Sequence, residues 1–398
     1  MGSVFKAVDR SLKVHLLTAM LTSDRRHQDF PSLRAMTYLN TAAECIPPRC
    51  VGEALQVYWQ DKQRGMKGRD AHFAEVEACR EVSAKILGLK SNEVSFCSCT
   101  SEAYNLLASA LNLRAEDEVV VTDLDFPAGA TPWLRAEPAP TVKLWRSHLG
   151  ALSLEDLLPL LSERTRLVQV SLISFYNGFR LAWKPLAEAI RRRAPQALIS
   201  VDLTQTLGRV EIDCSDADIL IASTYKWMLG IHGGCVIGVP EGRAADLTTR
   251  AGGWLHLSNA FESDRFQRAL PKPGAASYAV GMPNFAGLYA LNASLRYLDA
   301  VGIAALSQHA DGLVAQTHRG LIDLELEPLA PYQPALPTGI IAFRHPKTPE
   351  LHASLDREGV HVMHQVGRIR IAIHGYNTEE DVQRLLAVLS AALKRLPL

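Results

Sequence analysis

The sequence predicts an α/β protein: a large domain built on a mostly parallel central sheet, followed by a smaller α+β C-terminal domain. Between about residues 75 and 240, short β-branched runs alternate with longer stretches of helical periodicity, the pattern of parallel strands joined by crossover helices. The polar residues that stand out sit just after those runs, at the edge where an open α/β sheet binds its ligand. A length of 398 residues with 47% hydrophobic content supports a large core and about two domains.

In chain order, residues 14–21 read as an N-terminal helix, because the apolar run is short, holds His15 and Thr18, and ends in Ser23-Asp24-Arg25-Arg26 without a small-residue cleavage site. Strands are expected at 94–97, 118–122, 167–171, 198–201, 218–222 and 235–239, each a short apolar run bounded by turn residues. Helical patterns fill the gaps, among them 103–111 and 184–193. From 242 to 283 the pattern breaks at Gly252-Gly253 and Pro271-Lys272-Pro273-Gly274, which predicts long surface loops of the kind that carry function or subunit contacts. A helix at about 285–300 leads into mixed helix and strand, and the chain closes on an amphipathic helix over 379–395. The expected division is an arm over 1–36 packing with the small domain, a large domain over 37–290 and a small domain over 291–398.

Lys and Arg total 42 and Asp and Glu total 42, so no net charge points to nucleic acid or an anionic membrane. The seven cysteines (45, 50, 79, 97, 99, 214 and 235) are dispersed, odd in number and without a CxxC pair. Neither a disulfide framework nor a zinc site is indicated, and a reducing, cytoplasmic compartment is expected. Cys97 and Cys99 read as packing residues.

The chemistry gathers at the strand ends. Thr100-Ser101-Glu102 follows the first strand and opens a helix, offering hydroxyls and free N–H groups at a positive helix end, which suits a phosphate. Asp125-Phe126-Pro127 follows the second strand, Ser174 the third, Asp202 and Gln205 the fourth, and Ser223-Thr224-Tyr225-Lys226 the fifth. Singly, each has an ordinary reading: a helix cap at Thr100 or Ser101, a loop cap at Asp202, a solvated lysine at 226. Together they are the parts that pyridoxal 5'-phosphate needs. The lysine links to it covalently, the carboxylate keeps its pyridine nitrogen protonated so that the ring accepts electrons, and the aromatic stacks on the ring.

The ordered set resembles fold type I pyridoxal-phosphate enzymes of aminotransferase class V, the family of isopenicillin N epimerase-like proteins, cysteine desulfurases and kynureninase. The resemblance runs from Tyr38-Leu39-Asn40-Thr41-Ala42 to Tyr376-Asn377-Thr378-Glu379-Glu380, and its sharpest motif is Val201-Asp202-Leu203-Thr204-Gln205 with Lys226 24 residues after the aspartate. It implies that Lys226 carries the aldimine, Asp202 pairs with the pyridine nitrogen, Gln205 bonds the phenolic oxygen and Phe126 stacks on the ring. Thr100, Ser101 and Ser223 would bind the phosphate, and Ser174 and Tyr225 complete the cofactor set. Arg370 matches the arginine that grips the substrate's α-carboxylate, a task for a bidentate guanidinium.

Departures from the family pattern narrow the chemistry. Cysteine desulfurases have a histidine on the ring, another before the lysine and a nucleophilic cysteine in the small domain. Here those places hold Phe126, Tyr225 and no cysteine after Cys235, which argues against a persulfide-forming enzyme. Gly281-Met282-Pro283-Asn284 stands where many relatives use Gly-Thr-x-Asn to reach the partner subunit's phosphate, so the hydroxyl is missing. His232, His361, His364, Trp254 and Arg69 are further candidates for the pocket wall, each with an ordinary structural alternative.

The resulting expectation is a homodimeric enzyme acting on an α-amino acid through an external aldimine. Phe126 cannot carry protons, so Lys226 must take and return the α-proton. Transamination is favoured, with β-elimination (C–S lyase) or epimerisation as the alternative. A protein that binds the cofactor without turnover is opposed by the intact Lys226, Asp202 and Arg370. A nicotinamide oxidoreductase lacks the GxGxxG fingerprint.

Overall fold

A computed structural model describes residues 23–395; the helix expected at 14–21 lies outside the described residues. Thr37–Tyr38 (β1) and Val94–Cys97 (β2) are followed by Glu118–Thr122 (β3), Thr141–Trp145 (β4), Thr165–Ser171 (β5), Leu198–Asp202 (β6), Ile219–Ser223 (β7) and Cys235–Gly238 (β8). Strands β2 to β8 form one seven-stranded sheet in the order β2-β8-β7-β6-β5-β3-β4. All neighbours from β7 to β4 pair in parallel, whereas β8 runs antiparallel to both β7 and β2. Because β2 faces β8 antiparallel, it points the same way as the parallel strands. Cys97, Thr122, Ser171, Asp202 and Ser223 therefore end at one edge, and the residues after them converge.

The sheet is buried on both faces. Val120, Val168, Val170, Ile199 and Val201 belong to one apolar cluster. Val119, Val121, Leu167 and Leu198 belong to another, the period-two alternation of a pleated strand covered above and below. The edge strand β4 was not expected from the sequence. Its residues are half exposed except Trp145, and Lys143 in its middle reaches Glu118 at 2.5 Å, so it carries no apolar run to read.

Helices Ser23–Asp29 (α1), Arg49–Gln63 (α2), Arg69–Leu87 (α3), Thr100–Leu111 (α4) and Trp183–Arg193 (α5) precede two long ones, Phe285–Val301 (α6) and Ile303–Asp323 (α7). Leu288, Leu291, Leu295 and Leu298 of α6 pack in the first cluster. Ala310, Leu313, Val314 and Leu321 of α7 pack with Leu39, Ile341, Phe343 and Ile369 in a separate core. Leu306 of α7 still packs in the first cluster, and Gly302, with a φ of 90°, turns the chain between α6 and α7 in a region L side chains rarely adopt. Beyond it lie Ile340–Arg344 (β9), Thr348–Arg357 (α8), Val360–His361 (β10), Met363–Gln365 (β11), Arg368–Ala372 (β12) and Glu379–Arg395 (α9). Strands β11, β12 and β9 make an antiparallel sheet, while β10 pairs in parallel with β1, so residues 37–40 join the C-terminal core. No helix among the described residues is long and apolar enough to cross a membrane.

A buried ion pair ties the start of the described chain to its end. Arg26 donates to Asp381 at 2.8 Å and to the Tyr376 carbonyl at 2.7 Å, and Asp381 also accepts from Asn377 Nδ2 at 3.2 Å. Asp381→Ala leaves Arg26 buried and unpaired, a loss of about 3–5 kcal/mol. A drop of that size in chemical denaturation checks it, and an unchanged midpoint refutes it.

Candidate active site

After β2, Ser98 and Cys99 continue extended into α4, where the Glu102 carboxylate accepts from the Ser98 N–H at 2.7 Å and its hydroxyl at 2.5 Å. This pins the turn and leaves Thr100 and Ser101 in the first turn of a 12-residue helix, whose leading N–H groups have no partner within the helix. Residue Tyr104, one turn further on the same face, donates from its hydroxyl to Asp202 Oδ2 at 2.8 Å. The Thr204 N–H meets Asp202 Oδ1 at 2.7 Å, and Gln169 Nε2 donates to the Tyr104 oxygen at 3.2 Å. Asp202, the last residue of β6, is thus buried and fixed in rotation.

Asp125 lies behind it with Oδ1 on the Ser171 N–H at 2.6 Å and Oδ2 buried without a partner. Burial pushes this carboxyl up to about 7; the Ser171 hydrogen bonds oppose that, and the Asp202 charge adds to it. Phe126 next door is 48% exposed, with its edge braced by Phe175 at 5.1 Å and 84°. Lys226 Nζ stands 5.7 Å from the centre of the Phe126 ring and 5.6 Å from that of Tyr225. Burial lowers its pKa to about 8, with the Arg370 charge adding and Asp202 opposing. Half-exposed Phe126 and partly buried Lys226 thus face each other across the end of the sheet.

Gln205 donates from Nε2 to the Ala42 carbonyl at 3.0 Å and accepts from Trp227 Nε1 at 2.7 Å, which leaves one amide hydrogen uncommitted. The Tyr225 ring stacks on His232 at 4.2 Å, and burial raises the Tyr225 pKa while neighbouring Ser223 opposes the rise. Arg370 reaches over from β12 to donate to the Phe175 carbonyl at 2.8 Å, with Nε buried and unpartnered. Burial lowers its pKa to about 9, and neighbouring Arg368 adds to the shift.

One expected cofactor residue is committed elsewhere. Ser174 donates to the Leu124 carbonyl at 2.9 Å and accepts from the Tyr176 N–H at 3.1 Å, so its hydroxyl closes the turn that presents Phe175 and Tyr176. Of the other candidates, His232 is at the site. His364 pairs with Ile369, on the strand face opposite Arg370, and His361 lies 3.6 Å from Asp356. Trp254 leans on exposed Phe261, and Arg69 lies over Phe73. Tyr104 and Arg368 were missed by reading the sequence. Spacing could have found them: Tyr104 is four residues after Thr100 on a helix, and Arg368 two before Arg370 on a strand.

The donor set fits pyridoxal phosphate: a helix start for the phosphate, an anchored carboxylate, an aromatic floor, a partly buried lysine without a carboxylate partner, and an arginine with a free nitrogen. Fold and site together define a pyridoxal-phosphate enzyme of fold type I, the cofactor serving as an electron sink for the substrate carbanion. The chain belongs to the aminotransferase class-V family, whose model matches residues 37–385.

Its relatives span several activities. It is 28% identical over 371 residues, covering 92% of this chain and 97% of the relative, to "Uncharacterized aminotransferase YcbU" of Bacillus subtilis (strain 168). It is 26% identical over 411 residues, 94% and 99% of the two chains, to a probable cysteine desulfurase of Vibrio cholerae. The apo cysteine desulfurase of Thermococcus onnurineus NA1 superposes with a TM-score of 0.83 at 23% identity, over 94% of this chain and 98% of that one. The cystine C-S lyase C-DES does so with 0.82 at 19%, over 91% and 99%. The desulfurase names run against the argument from the missing cysteine.

Proposed function

We propose that the chain is an aminotransferase acting on an α-amino acid, with Arg370 holding the α-carboxylate and Lys226 moving the α-proton. One observation carries the reading: Arg370 and Lys226 stand near enough for their charges to interact, and among the described residues no carboxylate pairs with either. Lys226 acts as the base, since burial lowers its proton affinity toward neutrality. Thr100, Ser101 and Ser223 would hold the phosphate, Gln205 the ring's phenolic oxygen, and Tyr225 the near wall. Phe126 offers no proton, so retention at Cα or transfer to the cofactor depends on Lys226 alone.

The thiols support this over desulfuration. Cys45, whose N–H meets the Tyr225 carbonyl at 3.1 Å, donates its thiol to the Gly230 carbonyl at 3.2 Å, and burial pushes its pKa up to about 12. Burial likewise holds Cys79, Cys214 and Cys235 in the thiol form. The alternative remains β-elimination (C–S lyase) or epimerisation.

Product stoichiometry decides. A transaminase releases one keto acid per site and stops until an amino acceptor is supplied; an eliminase runs on without one and yields ammonia; an epimerase exchanges Cα hydrogen for deuterium with no keto acid. Alanine formed continuously from cysteine in the presence of a thiol reductant, which releases the transferred sulfur as sulfide, and lost on alkylating the exposed Cys99, would reassign the enzyme to desulfuration. Arg370→Met is expected to raise KM for any amino-acid substrate by about 30-fold or more, with Arg370→Lys recovering little; an unchanged KM removes the carboxylate role. The exposed Phe261, Phe266 and Met282 on the 242–283 loops support the expected homodimer, which light scattering tests. The free cysteines support a cytoplasmic setting.

A further inference from the structure

Strand β12 carries a second buried guanidinium beside the one assigned to the α-carboxylate. Arg368 and Arg370 are 1% and 2% exposed and lie two residues apart, so both side chains leave the same strand face, while Ile369 and Ile371 enter the apolar core. Arg368 donates from Nε to the Tyr176 carbonyl at 3.1 Å and from Nη1 to the Gln365 carbonyl at 3.3 Å, and lies 4.1 Å over the Tyr176 ring. Its Nη2 is buried with no partner, as is Nε of Arg370. Directly opposite on β9, in register with Arg368, stands a third guanidinium, Arg344, bonded to the Tyr176 hydroxyl at 2.6 Å.

Like charges opposed across two strands are unfavourable, and buried charges are normally paired. Among the described residues, no carboxylate lies within ion-pair distance of Arg344, Arg368 or Arg370. Arg344 is exposed to solvent, but the two buried guanidinium groups, held side by side without an acid, call for an anion from outside the chain. One α-carboxylate satisfies Arg370 and leaves Nη2 of Arg368 unpaired.

We propose that Arg368 binds a second carboxylate on the substrate, so that the enzyme selects dicarboxylic amino acids. The inference rests on the reading of Arg370 as the α-carboxylate site. The strand advances about 6.6 Å over the two residues, so the two flexible guanidinium side chains leave neighbouring positions on one face and can converge on the two carboxylates of one small diacid. Tyr176 holds the Arg368 plane from one side and Gln365 fixes one edge, leaving the Nη2 edge to meet an oxygen of the ligand.

Direct binding to the holoenzyme tests this without turnover. Calorimetry compares succinate and glutarate with their monoamides, which keep the size and lose one charge. The wild type is expected to favour the diacids by about 100-fold, and Arg368→Gln to collapse that ratio to near one. A wild-type ratio near one overturns the proposal even if the variant fails to fold, and so does a ratio that survives Arg368→Gln. Arg370→Met separates the two readings: if it leaves the affinity of both ligand types unchanged, the α-carboxylate assignment fails, whereas weaker binding and loss of the diacid preference in Arg370→Met as well as in Arg368→Gln support both.

Discussion

Lys226→Met is expected to abolish covalent attachment of the cofactor and reduce turnover to background, while making the apoenzyme more stable at neutral pH. Borohydride reduction of the wild type should mark the peptide holding Lys226 and no other; a pyridoxyl group on a different lysine sinks the assignment. The stability effect follows from burial. The folded pKa of about 8 lies below the 10.5 of a free lysine, so near neutrality the folded chain holds a charge that its surroundings disfavour. A shift of about 2.5 pH units corresponds to about 3 kcal/mol, which Met, of similar volume and without charge, removes. The sign is definite: between about pH 8 and 10.5 the unfolded chain binds more protons than the folded one, so wild-type stability rises with pH there and the gain of Lys226→Met fades. Denaturant titrations of the two apoenzymes at pH 7 and pH 10 measure it, and equal stability at pH 7 refutes it. The same shift predicts that apoenzyme captures the cofactor at a rate rising through pH 8, where the reactive neutral amine becomes the major form.

Much of this site could be read from the sequence because its parts are tied to strand ends. The runs ending near Cys97, Thr122, Ser171, Val201 and Ala222 were identifiable as buried strands, and the residues after parallel strands converge whatever the intervening helices do. Reading the 94–97 strand correctly mattered most, since it reaches the sheet only through β8 and yet delivers Thr100 and Ser101 to the common edge. Ser174 shows the limit. Its position after a strand suited a ligand-binding hydroxyl, but whether that hydroxyl faces the crevice or its own turn depends on the carbonyl of Leu124, fifty residues away. Arg368 was half legible: its spacing from Arg370 puts both on one strand face, but an arginine in a strand is ordinary until the opposing strand proves to carry Arg344 and no acid. The β4 edge and the joining of β1 to β10 likewise depend on pairing that local composition does not encode.

Asp202→Asn is expected to lower kcat by about a thousandfold or more with little change in KM, while the chain stays folded and still links the cofactor to Lys226. In the role proposed for it, Asp202 would hold a proton at the pyridine nitrogen by its negative charge, which an amide of the same shape would not do, so the loss is expected in the chemical step and not in substrate binding. Its grip depends on its own anchors. Tyr104 and Thr204 donate to the two carboxylate oxygens, fixing the plane of the group. Asp125, pushed up to about 7, contributes a neutral or partly neutral carboxyl nearby. Tyr104→Phe removes one charge-assisted hydrogen bond and leaves Gln169 Nε2 without its acceptor, so a smaller loss in kcat of about tenfold is expected. The two changes act through one group and must not add: in the Asp202→Asn background, Tyr104→Phe should cost little more. Steady-state kinetics of the four proteins in this cycle, with covalent loading checked by borohydride, decide the matter. Additive losses would mean that Tyr104 acts on something other than Asp202, and near-normal kcat in Asp202→Asn would reduce Asp202 to a loop cap.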